Sequence, residues 1–181
     1  MNTLPDTLRI PLQDALSIKR PSGSLTEAAF VARIAASFPR YLQAIDEAGN
    51  VHFKIGEPRT LFAAHADTVH WEEGVNKYTQ EGSTVKASGA PLGADDGAGV
   101  AILCHMMGNC IPGYYLISRG EEVGGIGAKY IADNFPYLLE EFDRSICFDR
   151  AGTEEIITVQ GGQRCASKEF AEALSVEFEK Q

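Results

Sequence analysis

No stretch of this chain approaches the roughly 20 consecutive apolar residues needed to cross a bilayer. The opening MNTLPDTLRIPLQD also lacks a basic start followed by an apolar segment. Neither a membrane span nor a secretory leader is expected, and a cytoplasmic location is. Basic residues are few, 16 against 25 acidic, for a formal net charge of -9 with no Lys/Arg cluster, which argues against nucleic acid or an anionic membrane as the main partner. The four cysteines, Cys104, Cys110, Cys147 and Cys165, form no CxxC pair and no zinc-finger spacing, so reduced thiols are expected rather than a disulfide framework. Cys104 and Cys147 lie in apolar segments and are expected in the core. A phosphate-cradling loop is missing as well. The Gly-rich turn LGADDGAG has no GxGxxG and no lysine, and it carries two aspartates that would repel phosphate. Internal repeats and low-complexity segments are likewise absent.

What is present is enough for one core. At 181 residues and 44% hydrophobic, the chain is expected to form a single domain spanning residues 1–181. Residues 5–20 show no clear period. Ser24 and Glu27 make a capping box before LTEAAFVARIAASF, whose apolar residues recur at three and four, predicting a helix over 25–38. Strands follow near YLQAI and VHFKI, joined by the turn DEAGN, and LFAAHAD reads as a buried strand. A small hairpin is expected around KYTQEGSTVKA. GAGVAILCHMMGN predicts a helix closed by Gly108 and Asn109, YYLISR a strand, and GIGAKYIADNF a helix stopped by Pro136. RSICFDR and EEIITVQ predict strands, and SKEFAEALSVEFEK an amphipathic helix. The pattern is α/β: a three-layer α/β/α arrangement around a mixed, mostly parallel central sheet.

Acidic residues and one histidine sit where the apolar runs give way to glycine or polar residues: His65 and Asp67, Asp95, Glu121 and Glu122, and Asp149. Each fits an ordinary role taken singly. His-x-Asp alone describes a structural histidine as well as a ligand, although residues two apart on a strand face the same way. Asp95 and Asp96 fit the N-terminus of the following helix, where a carboxylate caps amides and meets the helix dipole. Adjacent glutamates are common on surfaces, and Asp149 could cap a loop. Taken together, they fall in order at the ends of strands that can share one edge of a sheet. Five carboxylates and one imidazole brought to that edge would repel without cations, and nitrogen plus oxygen ligands suit zinc, manganese or cobalt. The residues point to a metal-dependent hydrolase.

The motifs HADTVH, GADDGAGVA, the GEE that follows a strand, and FDRAG resemble the successive metal-site motifs of the co-catalytic zinc exopeptidases. These include aminopeptidases, peptidase T, glutamate-releasing carboxypeptidases and aminoacylases, and the resemblance covers about residues 60 to 165. It implies that His65 and Asp149 bind one metal, Asp95 bridges to a second, and Glu122 binds that second ion. It further implies that Glu121 is the general base, that Asp67 orients His65, and that the Asp95–Asp96 peptide is cis. The substrate would be a peptide or an N-acylated small molecule. The lobe that some relatives insert after the Asp149-type motif is not expected here, which places the chain nearer the single-domain aminopeptidases.

One departure stands out. The family takes a last ligand from a histidine near the C-terminus, and no histidine follows His105. His70, in the loop after the first motif, is the one candidate substitute, with His52 and His105 expected to be structural or exposed. The final helix runs to Gln181 without a Gly or Pro stop, which reads as a truncation; a complementing chain, a homo-oligomer or a one-metal site would also account for the missing ligand. The alternative to catalysis is an incomplete, non-catalytic metal-binding or regulatory member of the same fold. Arg150 and Arg164 are expected in ordinary salt bridges rather than at a substrate.

Overall fold

The computed structural model describes residues 12–152 and 155–179; the N-terminal residues 1–11 and the last two, Lys180 and Gln181, on which the leader and truncation readings bear, lie outside the described residues. The elements run α1 (Leu12–Leu16), β1 (Ile18–Lys19), α2 (Leu25–Ser37), β2 (Leu42–Ile45), β3 (Val51–Ile55), β4 (Thr60–His65), β5 (Gly74–Val75), β6 (Tyr78–Glu81), β7 (Thr84–Ala87), α3 (Ala94–Gly108), β8 (Gly113–Ser118), α4 (Ile126–Asn134), α5 (Pro136–Glu140), β9 (Arg144–Cys147), β10 (Val159–Gln160), β11 (Gln163–Arg164) and α6 (Lys168–Glu179). They divide into two compact units, one ending at Asp149 and one beginning at Arg150.

The first unit is built on a five-stranded sheet of order β2-β3-β8-β4-β9. β3 runs antiparallel to both β2 and β8, whereas β4 is parallel to β8 and to β9. Four strands therefore share one direction and only β3 opposes them, which is the mixed, mostly parallel sheet expected. Alternate residues of β8 serve opposite faces, as a doubly covered strand requires. Tyr115 and Ile117 join Phe30, Ile34, Val100, Leu103 and Met107 from α2 and α3 on one side. Tyr114 and Leu116 join Ile131 of α4 on the other, with Leu138 of α5 packed against them. Each fully buried aliphatic or aromatic side chain here contributes about 1.5–3 kcal/mol.

Local signals explain the element boundaries. Ser24 Oγ accepts the Glu27 amide at 3.1 Å, starting α2 where the capping box placed it, while Glu27 Oε2 reaches back to the Gly23 amide at 2.7 Å. Pro136 ends α4 and opens α5, since its ring cannot continue the preceding helix. Two differences from expectation have clear causes. β9 pairs on one side only, so Cys147 is exposed at a sheet edge rather than buried in the core; Cys104, inside α3, is buried as expected. α1 and β1 were invisible in the aperiodic 5–20 segment because they are held by contacts distant in sequence, such as β1 against β5.

The second unit contains a hairpin, β10 with β11, turning through Gly161 and Gly162 at φ 58° and 78°. Of the strand expected over EEIITVQ, whose first residue Glu154 lies outside the described residues, Val159–Gln160 is the part that forms. α6 follows, with Ser167 Oγ accepting the Phe170 amide at 3.0 Å. No helix among the described residues is long and apolar enough to cross a membrane.

Candidate metal centre

Parallel pairing places His65 of β4 level with Ser118 of β8, and Ala63 level with Cys147 of β9. The residues just beyond these strands consequently emerge at one edge, where open parallel sheets bind ligands. The Ala66 amide adds one more bond to Ser118 at 2.9 Å. His65 is buried, its Nδ1 lying 3.1 Å from the Asp67 carbonyl and 3.4 Å from Asp67 Oδ1. With that nitrogen engaged, Nε2 faces Asp95 Oδ1 at 3.1 Å, Asp149 Oδ1 at 3.8 Å and Glu121 Oε2 at 3.9 Å. Fixing one ring nitrogen so that the other is presented is how a ligating imidazole is ordinarily held.

Asp67 is fully buried. Its Oδ1 accepts the Glu121 amide at 3.0 Å and its Oδ2 the Glu122 amide at 3.1 Å. One carboxylate therefore ties the first motif to the third. Burial opposes its ionisation, but the hydrogen bonds from His65, Glu121 and Glu122 outweigh burial and hold its pKa below the usual carboxylate value.

The Asp95–Asp96 peptide is cis, as the resemblance implied. Both residues have non-helical dihedrals at the head of α3, which is entered through Gly93 at φ 73°. Their carboxylates part company. Asp95 is exposed at the cluster, whereas Asp96 is buried, accepting the His65 amide at 3.1 Å on Oδ2 and the Gly99 amide at 2.9 Å on Oδ1. Asp96 thus caps the helix and fastens it to β4. A Cβ on Gly99 would lie 2.7 Å from Asp96 Cγ. Gly99→Ala is accordingly expected to displace that carboxylate and cost about 1–3 kcal/mol, read as a lowered thermal midpoint; an unchanged midpoint would remove Asp96 from the fastening role.

His65, Asp95 and Asp149 each offer a ligand atom, all within 4.8 Å of one another. Glu121 lies at the rim, half-exposed. Glu122 stands outside that trio, yet its Oε1 is buried without a hydrogen-bond partner, and its pKa is raised by burial and then by the charge of Asp95. A buried acceptor oxygen left bare in the field of Asp95, together with an imidazole and two carboxylates already converging, is a donor set that fits a divalent cation.

Without a cation, protons take that part. Burial disfavours the His65 imidazolium, but the bond to Asp67 and the charges of Asp96, Asp67 and Asp149 prevail and raise its pKa to about 9 from 6.5. Burial likewise raises Asp96 to about 7 from 3.8, and raises Asp149 above the usual carboxylate range. The signs agree. A raised histidine contributes stability that is complete below pH 6.5 and lost as pH rises through about 9, and a raised aspartate disfavours the fold as pH climbs towards its own raised value. Chelator-treated protein is expected to lose on the order of 2–3 kcal/mol from His65 between pH 6 and 9.5. Thermal melts across that range check it, and a flat or rising midpoint would contradict the assignment.

Several supporting residues carried no motif. Arg20 is wholly buried; its Nε donates to the Ala66 carbonyl at 2.8 Å, a second nitrogen donates to the Ala15 carbonyl, and its backbone pairs with Thr68. Burial lowers its pKa to about 10 while the charges of Asp67, Glu27 and Asp96 raise it. Glu27, read only as a capping residue, also accepts Arg119 at 2.6 Å. His70 does not join the cluster, being held by Thr68 Oγ1 at 2.7 Å and the Pro91 carbonyl at 2.9 Å. His52 is buried and His105 lies exposed on α3. In the second unit Arg150 pairs with Glu155 at 2.9 Å, and Arg164 donates to the Ala166 carbonyl at 3.5 Å.

No family model matches the chain, and no curated protein matches it in sequence. Solved structures do. PhTET1-12s, a dodecamer, superposes with a TM-score of 0.64 at 16% identity over 93% of this chain and 79% of its own. The aminopeptidase PepT from Bacillus cereus gives 0.63 at 19% over 81% of this chain, and aminoacylhistidine dipeptidase from Vibrio alginolyticus 0.55 at 24% over 69%. The chain shares the fold of these three structures. It is the architecture implied by the zinc-exopeptidase resemblance. This chain spans 44% of the PepT chain and 30% of the dipeptidase chain.

Proposed function

We propose that this chain is a metal-dependent hydrolase that cleaves the amide bond of a peptide or an N-acyl amino compound. The observation that carries this reading is the convergence of His65, Asp95 and Asp149 within 4.8 Å. The unpartnered Oε1 of Glu122, a carboxyl on which the charges of Asp95 and His65 act, supports it. His65 and Asp149 would hold one divalent ion, Asp95 would be shared, and Glu122 would hold a second. Zinc suits the mixed nitrogen and oxygen donors best, with manganese or cobalt acceptable. Such an ion supplies Lewis acidity, which eases deprotonation of water near neutral pH and stabilises developing negative charge.

The chain's own groups divide the remaining work. Glu121, at the rim and half-exposed, takes the proton of the attacking water and returns it to the leaving amine. Asp67 keeps His65 oriented and fixes the Glu121–Glu122 backbone. No serine or cysteine nucleophile is needed. Two of the neighbours are an aminopeptidase and a dipeptidase, and the third is a dodecamer; a peptide substrate, assembly into a homo-oligomer or with a complementing chain, and a cytoplasmic setting extend the reading to this protein.

A second reading rests on the histidine inventory. Among the described residues only His65 brings an imidazole to the cluster, since His70 is committed to Thr68 and Pro91. An incomplete member that binds one ion without turnover follows if nothing completes the second site. Metal stoichiometry on protein purified without chelator, run beside hydrolysis of a mixed peptide library, separates the two. Two ions with turnover support the hydrolase, one ion without turnover supports the binding module, and no ion under saturating zinc removes both.

A further inference from the structure

The turn that carries Glu121 and Glu122 hangs between Arg119 and Gly127, and both of those ends rest on one distant side chain. Asn50 is fully buried. It closes the DEAGN turn between β2 and β3, where an asparagine after glycine is an ordinary turn residue. Its side chain does more than close that turn. Oδ1 accepts the Arg119 amide at 3.0 Å, and Nδ2 donates to the Gly127 carbonyl at 3.1 Å and to Asp46 Oδ2 at 2.7 Å. The Gly127 amide in turn donates to the Arg119 carbonyl at 2.8 Å, closing the turn at its base. Asp46 is itself braced, with Oδ1 accepting the Asn50 amide at 2.9 Å and Oδ2 lying 3.2 Å from His52 Nε2.

Space at the base is tight enough to require glycine. A Cβ on Gly127 would strike Asn50 Oδ1 and lie 2.6 Å from the Arg119 carbonyl. Arg119 is pinned from its side chain too, bonded to buried Glu27 at the head of α2 and lying against Gly49, where a Cβ would meet it at 2.7 Å. The turn is thus held at two levels: Asp67 takes the amides of Glu121 and Glu122, and Asn50 takes the two ends.

We infer that Asn50 is a positioning residue for Glu121 and Glu122, acting through the Arg119 and Gly127 backbone rather than by touching substrate or metal. The inference rests on the proposed function for its chemical consequence but on hydrogen-bond geometry alone for its structural one. Asn50→Ala leaves the Arg119 amide and the Gly127 carbonyl without their partner. Asn50→Asp keeps the shape and an acceptor for Arg119, yet sets an oxygen against the Gly127 carbonyl and Asp46.

The test has two arms on the full chain. Amide hydrogen exchange is expected to show at least about tenfold faster exchange at Glu121 and Glu122 in Asn50→Ala, with the β4 and β8 amides unchanged. Zinc titration is expected to show about 10–100-fold weaker binding in both variants, the usual cost of losing a residue that supports a ligand. In a preparation with turnover, kcat falls while KM holds. Exchange and zinc affinity equal to wild type overturn the inference, and so does a loss of protection spread evenly over the sheet, which makes Asn50 a general stability residue. If the wild-type chain binds no zinc, the proposed function fails while the exchange arm still decides the role of Asn50.

Discussion

Glu121→Gln is expected to lower turnover by about 10²–10⁴-fold, the usual contribution of a positioned general base, while leaving metal stoichiometry unchanged. The geometry separates these two effects. Glu121 sits at the rim with its side chain half-exposed and Oε2 3.9 Å from His65 Nε2, so removing its charge opens no cavity and strips no ligand from the trio. Asp95→Ala is the informative contrast. Its Oδ1 lies 3.1 Å from His65 Nε2 within the cluster, its side chain is 70% exposed, and the cap of α3 is made by Asp96 instead. That variant is expected to fold and to lose bound metal. Isothermal titration with zinc and hydrolysis of a peptide library read both results. Full turnover in Glu121→Gln would take the base role away from this residue.

Asp67→Ala is expected to cost about 3–5 kcal/mol, the range seen when one partner of a buried charged pair is removed. At this chain length that corresponds to a thermal midpoint lower by roughly 6–20 °C. Two groups lose their partner at once, the Glu121 amide and the Glu122 amide, while His65 Nδ1 loses the nearby carboxylate charge and keeps the carbonyl of residue 67. Arg20 is left buried with less opposing charge. Asp67→Asn keeps one carbonyl acceptor but turns an amide donor towards the second backbone N–H, so an intermediate loss is expected. Thermal melts of the two variants in the presence of chelator check the ranking. A loss in Asp67→Ala below about 1 kcal/mol, the range of an exposed pair, would show that the carboxylate is not the tie between the first and third motifs.

The site was legible in the sequence to the extent that its residues follow strands. His65, Glu121, Glu122 and Asp149 each lie at or just beyond an apolar run, and parallel pairing of β4 with β8 and β9 brings those ends together. The double aspartate was harder to divide. Composition and spacing in LGADDGAG do not separate the exposed carboxylate of Asp95 from the buried one of Asp96, although the motif resemblance gives the ligand role to Asp95; the backbone path entering α3 and the space above Gly99 supply the physical reason. Arg20, Asn50 and the Glu27–Arg119 pair were silent because single residues without period or motif acquire partners only through folding. Cys147 shows the opposite error, an apolar neighbourhood taken for burial on a strand that proves to be an edge.

The sequence by itself determined the alternation of strands and helices, the start of α2 at its capping box, the acidic character of one sheet edge and the order of the four motifs. These are properties of local period, turn chemistry and charge, which depend on residues near one another in the chain. Only the tertiary structure decided that β3 alone opposes the other four strands, that Asp67 bonds two amides more than fifty residues away, that His70 is turned from the cluster, and that Asn50 reaches from a hairpin turn to the base of the Glu121–Glu122 turn. Hydrogen bonds between distant segments form where backbone amides and carbonyls happen to be brought together in the interior, and any polar side chain of the right length can meet them. Residue type and spacing carry no record of that meeting, because it is set by the packing of whole elements.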